Sequence, residues 1–206
     1  MTPEDQAKSL LPTILGLEGP RKLIAISGPP GAGKSTLAEA LEAQISALGR
    51  SVAVIPMDGF HLDNRLLEPR GILARKGSPQ SFDAAGFVHL VSRIADGQDV
   101  IYPVFDRDRD IAIAGASHLP ADTEFVLFEG NYLLLKDEPW ARLAAFWQFS
   151  IMSDPGLETL KARLLERWLG QGLARTDARA RRDQNDLPNA LYVRENSQAA
   201  DLMVAD

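Results

Sequence analysis

Gly28-Pro29-Pro30-Gly31-Ala32-Gly33-Lys34-Ser35-Thr36 is the stretch on which the reading of this 206-residue chain turns. It fits the pattern G-x-x-x-x-G-K-[ST], and its flanks are those the pattern needs. Leu23-Ile24-Ala25-Ile26-Ser27 ahead of it has the length and apolarity of a buried strand. Leu37, Leu41, Ile45 and Leu48 behind it recur at helical spacing, and Gly49 supplies a stop signal. A glycine-rich turn between strand and helix lets successive backbone N–H groups close on a polyphosphate, and the positive helix end adds to the attraction. In that arrangement Lys34 reaches the β- and γ-phosphates and the Ser35 hydroxyl ligates Mg²⁺.

Further along, strand and helix signals alternate. Residues 51–56, 124–130 and 147–152 read as core strands, and Leu202-Met203-Val204 as a final one. Val100 to Phe105 reads as an edge or hairpin strand because Pro103 interrupts it. Ser81 or Asp83 is placed to cap a helix carrying Phe87, Leu90, Val91 and Ile94, closed by Gly97. Asp154-Pro155 opens a long helix through Trp168, with proline at its first position. Residues 1–20, with three prolines, read as an N-terminal arm holding a short helix around Leu10–Leu17, and 62–82 as an ordered loop. The alternation predicts an α/β domain spanning 1–206: a parallel sheet flanked by helices in three layers, with a small helical lid at about 156–190.

Composition narrows the classes. At 45% hydrophobic and 24% charged residues the chain is ordinary for a globular protein. It has no cysteine, which removes disulfides, thiolate metal sites and cysteine nucleophiles. Glu4 and Asp5 at the start do not suit a secretory signal, and Leu133-Leu134-Leu135 is cut off by Lys136 short of a membrane span. A cytoplasmic location is the resulting expectation. A net charge of −6 argues against a nucleic-acid or anionic-membrane binder. Yet Lys161 to Arg182 holds seven basic residues against two acidic ones, a local patch suited to a phosphate clamp or to a solvated helix face.

Ligands of parallel sheets bind at the carboxyl ends of the strands, where Gly28–Ser35, Asp58 and Glu129 all fall. Glu129 can hold Mg²⁺ as a strand-end carboxylate does in phosphate-loop enzymes. Asp58 separates kinases from nucleotide switches, because phosphorylating an alcohol calls for a carboxylate near the γ-phosphate to orient the hydroxyl and take its proton. Asp58-Gly59 is also a common turn pair. His61 either donates a hydrogen bond to an acceptor hydroxyl or supports the loop. His89 falls in a helix and His118 in a loop, without metal-ligand spacing.

Several separated motifs together resemble one family. Gly28–Thr36, Met57-Asp58-Gly59-Phe60-His61, residues 75–83, Phe128-Glu129-Gly130 and the late arginines look like the uridine kinase, pantothenate kinase and phosphoribulokinase group of P-loop kinases. Arg75-Lys76-Gly77-Ser78-Pro79-Gln80-Ser81-Phe82-Asp83 is most similar to bacterial pantothenate kinase. The Asp-Gly-Phe-His motif and Asn185–Asn189 resemble the bacterial branch described as fructose-transport-system kinases.

The resemblance implies Asp58 as catalytic base, and the loop Gly28, Pro29, Pro30, Gly31, Ala32, Gly33, Lys34, Ser35 and Thr36 as the ATP site. It implies Ser35 and Glu129 for Mg²⁺ and Asp83 as a contact to acceptor hydroxyls. Tyr102 or Phe105, with Asp106 and Arg109, occupies the acceptor-contacting segment. Phe105-Asp106-Arg107-Asp108-Arg109-Asp110 departs there from the uridine kinase pattern and lacks its histidine, pointing to a different polar acceptor. Arg163, Arg167 and Arg175 match the lid arginines, with Gly170 and Gly172 as a hinge. The expected activity is transfer of the γ-phosphoryl group of ATP to a small polar metabolite, a fructose-like sugar first. A nucleoside or pantothenate, or a switch with no small acceptor, are the alternatives. No nucleic-acid or membrane partner is expected, and a homodimer stays open.

Overall fold

Strand β1 (Lys22–Ser27) is buried at every position because it lies in the middle of the main sheet. Its side chains alternate between two cores. Leu23 and Ala25 join one cluster, Ile24 and Ile26 the other, which is the period of two that a strand covered on both faces must show. The computed structural model describes residues 2–205. The sheet also contains β2 (Val52–Pro56), β5 (Phe125–Gly130), β6 (Phe149–Ser153) and β7 (Leu202–Val204) in the order β2-β5-β1-β6-β7. All of its pairings are parallel, which is the three-layer arrangement expected. Strands β3 (Val100–Asp106) and β4 (Ile111–Leu119) form a separate antiparallel hairpin.

On one face, helix α1 (Pro3–Leu15) and helix α2 (Lys34–Ala47) bury Ala7, Leu10, Ile14, Leu37, Leu41 and Ile45 against the sheet. Each large aliphatic side chain so buried contributes about 1.5–3 kcal/mol. The N-terminal arm is therefore a core helix of 13 residues, although Pro12 lies inside it. Thr2 and Asp5 form its capping box, and Gln6 Nε2 donates to the Ala205 carbonyl at 3.0 Å, tying the two ends of the chain together.

Several short elements and one longer helix lie between β2 and the hairpin. The stretch read as a loop holds the single turn α3 (Asn64–Leu67) and two 3₁₀ turns, Leu73–Arg75 and Pro79–Ser81. Helix α4 (Ala84–Ala95) packs Phe87, Val91 and Ile94 on the opposite face of the sheet. Asp83 caps it, its Oδ1 accepting from Gly86 N–H at 2.9 Å.

The segment expected to form a lid holds α5 (Leu157–Gly170), α6 (Arg175–Arg181), a π-helical stretch Arg182–Asp186, and the start of α7 (Leu187–Asn196). Pro155 is not the first helical residue of α5. Gly156 is the N-cap with φ +86°, so the proline lies one step outside. Gly172, also at φ +86°, turns the chain between α5 and α6. Strand β4 includes His118, which bonds Asp99 Oδ1 at 2.7 Å rather than sitting in a loop.

Candidate active site

The phosphate loop leaves β1 at Gly28 and enters α2 at its N-cap Gly33, which has φ +89°. Gly28 must lack a side chain, since a Cβ there would fall 2.2 Å from the carbonyl oxygen of Ser153 on β6. Lys34 folds back over the loop and donates to the Pro29 carbonyl at 2.9 Å, with its side chain 7% exposed. Burial pushes its pKa down to about 8, against the pull of the Glu129 and Asp58 carboxylates.

Glu129 faces Ile26 of β1 and Pro56 of β2 in register, which sets it between the phosphate loop and the turn carrying Asp58. The Ser35 hydroxyl donates to Glu129 Oε2 at 3.2 Å. Burial pushes the Glu129 carboxyl up, and nearby Lys34 opposes the shift. Among the described residues no three His, Cys, Asp or Glu cluster as a metal cage. Two adjacent hard oxygens suit Mg²⁺, which commonly takes one or two protein oxygens and completes its shell with phosphates and water.

Asp58 lies on a 3₁₀ turn, Met57–Phe60, directly after β2. The turn packs so tightly on β3 that a Cβ at Gly59 would come within 2.2 Å of the Pro103 carbonyl oxygen. Gly59 is thus required by the hairpin behind it. Arg107, in the turn between β3 and β4, donates from Nη2 to Asp58 Oδ2 at 2.7 Å. His61 Nδ1 lies 2.8 Å from the backbone carbonyl of Asp58. A carbonyl only accepts, so Nδ1 carries the proton. Burial lowers the pKa of the imidazole and favours its neutral form, leaving Nε2 as an acceptor. The ring packs at a tilt against Phe82 and Phe105, with centroids 4.0 and 4.5 Å away and interplanar angles of 42° and 37°.

Beneath Phe105 runs a polar tie that the sequence did not single out. Lys76 Nζ donates to Asn64 Oδ1 and to the Asp110 carbonyl, and forms an ion pair with Asp110 Oδ2, each at 2.8 Å. Tyr132 donates its hydroxyl to the Gly77 carbonyl, and Asn185 Nδ2 donates to the Lys76 carbonyl at 2.9 Å. These bonds join the 75–83 segment to the hairpin tip and to the lid. On α5, Trp168 donates its indole N–H to Asp186 Oδ2, with the Arg167 and Arg181 guanidinium groups 5.5 and 5.2 Å from its ring.

These groups line one cleft of about 390 Å³, in which Lys34, Ser35, Thr36, Asp58, His61, Phe105, Glu129 and Arg167 come together. A second cleft of about 350 Å³ on the other side of the loop shares Gly31, Gly33 and Thr36 with it and is lined by Ala32, Arg163, Gln6 and Pro155. Other expected residues are placed elsewhere. Asp83 is exposed and serves as the α4 cap. Asp106 and Arg109 bond one another within the hairpin turn, at 2.7 Å through their side chains. Arg175 begins α6 and lines neither cleft. Arg107, Lys76, Asp110, Trp168 and Arg181 line the main cleft without having been singled out. For Lys76 a signal existed in the 75–83 motif; for Arg107 the alternating charges offered none.

A family model described as methylmalonyl Co-A mutase-associated GTPase MeaB matches residues 1–61, the part that carries the phosphate loop. The protein YggC of Escherichia coli is 37% identical over 186 residues, covering 89% of this chain and 77% of its own length. A protein of Schizosaccharomyces pombe provisionally named a uridine kinase is 32% identical over 195 residues, 89% of this chain and 83% of that one. The crystal structure of a Silicibacter protein provisionally described as a fructose transport system kinase is 46% identical, with a TM-score of 0.90 over 99% of both chains. Among the described residues no helix is long and apolar enough to cross a membrane.

Proposed function

The chain belongs to the uridine kinase, pantothenate kinase and phosphoribulokinase family of P-loop kinases, and from that premise we propose that it phosphorylates a hydroxyl of a small sugar-like metabolite with ATP. As a member it is a phosphotransferase with an alcohol acceptor. The observation that carries the proposal is the convergence of Lys34, the Ser35–Glu129 pair and Asp58 on one cleft.

In the proposed mechanism the loop N–H groups and Lys34 hold the β- and γ-phosphates, and Arg167 closes over them from the lid. Ser35 and Glu129 would hold Mg²⁺, which when bound would neutralise charge on the transferred group. Asp58 orients the acceptor hydroxyl and receives its proton as the oxygen attacks phosphorus in line. Oδ1 is the oxygen of Asp58 open to this task, since Oδ2 accepts from Arg107. His61 Nε2 accepts a second acceptor hydroxyl, and the Phe105 face packs on the carbon skeleton. The second cleft, with Arg163 on its wall, receives the nucleoside half of ATP.

The Asp58 carboxylate, the neutral His61 imidazole and the aromatic faces of the cleft suit a polyol, and the similar Silicibacter protein is described in sugar terms. The test is ADP release across sugars, nucleosides, pantothenate and glycerate. Strong stimulation by a sugar-like compound supports the reading. Stimulation by uridine or pantothenate alone moves the acceptor to that class, and stimulation by none of them leaves a nucleotide switch.

A further inference from the structure

The two clefts divide a nucleotide between them. Lys34, Asp58 and Glu129 line the main one, so a triphosphate reacting there must carry its nucleoside across the loop, away from Asp58. The second cleft lies in that direction, sharing Gly31, Gly33 and Thr36 with the first. At about 350 Å³ it has room for a nucleoside. The loop grips phosphates through backbone N–H groups and reads no base. Beyond the loop glycines, this cleft is walled by the two ends of the described chain: Pro3 and Gln6 of α1, with Val204 of β7 and Ala205 after it.

Gln6 is half-buried and firmly placed. Thr2 and Asp5 cap its turn of α1, and Gln44 of α2 donates from Nε2 to the Glu4 carbonyl at 2.9 Å. On the other side Asp154 N–H donates to the Val204 carbonyl at 2.9 Å and fixes the end of β7. Gln6 Nε2 joins the two sides through its bond to the Ala205 carbonyl. A carbonyl only accepts, so this bond dictates which way round the amide stands: nitrogen against Ala205, Oε1 away from it. Turning the amide over would set Oε1 against the Ala205 oxygen, two acceptors with no proton between them. Among the described residues nothing donates to Oε1, and Nε2 keeps a second N–H. The amide therefore offers the cleft one acceptor and one donor in a fixed order.

We propose that Gln6 selects the base of the phosphate donor, its Oε1 accepting from the 6-amino group of adenine and its second Nε2 N–H donating to the neighbouring ring nitrogen. This rests on the placement of the nucleoside in the second cleft and names the residue that chooses among nucleotides there. A carboxamide meets adenine in this two-bond manner wherever Gln or Asn reads that base in nucleic acids. Hypoxanthine and guanine carry an oxygen at position 6, which would face Oε1 and leave both acceptors unpaired. A freely turning amide would exchange its nitrogen and oxygen and take either base. The bond to Ala205 removes that freedom, so the tie between the chain ends is also what makes the site selective.

Calorimetric binding of ADP, IDP and GDP tests this without the acceptor being known. IDP differs from ADP only in its 6-oxo group and the proton that this places on N1. The wild-type protein should bind ADP at least about tenfold more tightly than IDP, the scale of an acceptor left unpaired. Gln6→Met keeps the length of the side chain and removes both polar atoms. It should weaken ADP by about tenfold while leaving IDP within about threefold, which erases the preference. Equal weakening of ADP and IDP in that variant overturns the proposal, since Gln6 would then only hold the chain ends together. Equal binding of ADP and IDP by the wild-type protein, or tighter binding of GDP than of ADP, overturns it as well and leaves the kinase reading standing. Failure of all three nucleotides to bind sinks the phosphate-loop reading, and this inference with it.

Discussion

Lys76 Nζ lies 2.8 Å from Asp110 Oδ2, with the lysine side chain 7% exposed and the aspartate 55% exposed. The pair ties the segment before α4 to the tip of the β3–β4 hairpin, and so fixes the turn from which Arg107 reaches Asp58. Lys76→Met keeps the volume and removes the donors, leaving Asn64 and Asp110 with the weaker bond between Asn64 Nδ2 and Asp110 Oδ2 at 3.3 Å. Because one partner is half in water, the expected loss is about 1–2 kcal/mol, below that of a fully buried pair. Urea unfolding measures it. The acceptor KM should rise while ATP affinity holds, and an unchanged acceptor KM would show that the tie does not position the tip.

Asp58→Asn keeps the size and hydrogen-bonding shape of the side chain but removes its basicity. Turnover should fall by about 10²- to 10⁴-fold, the usual contribution of a positioned base, with ATP binding spared. Wild-type turnover in this variant would remove Asp58 from the chemistry.

ATP binding should take up a proton in mildly alkaline solution. Free Lys34 titrates at about 8 because burial disfavours its charge, and phosphates brought against it raise that value. Between the two pKa values the complex holds a proton that the free protein lacks. Calorimetry in buffers of different ionisation heat should show uptake at pH ~9 and little at pH ~6.5. Buffer-independent heats at the higher pH would refute it. The same sign applies to folding without nucleotide. Lys34 is depressed below its unfolded value, so its unfavourable contribution is full below pH ~8 and fades as pH rises towards the unfolded pKa.

Trp168 should report lid closure. Its indole donates to the buried Asp186 carboxylate between two arginines, whereas Trp140 and Trp147 pack in the core under the sheet. An ATP-dependent change in tryptophan emission should therefore vanish in Trp168→Phe. The variant also leaves Asp186 without its donor, and KM for ATP should rise by about three- to tenfold as the closed lid loses one bond to a charged group. If emission still responds to ATP in the variant, the lid is not its source.

The loop at Gly28–Thr36, Asp58 and Glu129 could be read without coordinates because each depends on local pattern: an apolar run, then a polar residue where the strand must end. The second strand of the hairpin could not. Ile111 to Leu119 is small, partly exposed and glycine-containing, and only pairing with Val100–Asp106 makes it a strand. Helix α1 looked like an arm because Pro12 interrupts it, yet packing on α2 outweighs that local cost. In Asp106-Arg107-Asp108-Arg109-Asp110 the two arginines are equivalent as sequence. The turn closes Asp106 on Arg109 and leaves Arg107 to Asp58.

By itself the sequence determined the parallel α/β sheet, the anion-binding loop and the carboxylates beside it, since strand periodicity and the strand–glycine–helix order are properties of neighbouring residues. Tertiary structure alone decided the acceptor end of the cleft. That end is built from side chains dozens of positions apart, such as Asp58 and Arg107 or Lys76 and Asp110, whose partners are set by which surfaces pack together and not by what adjoins them along the chain.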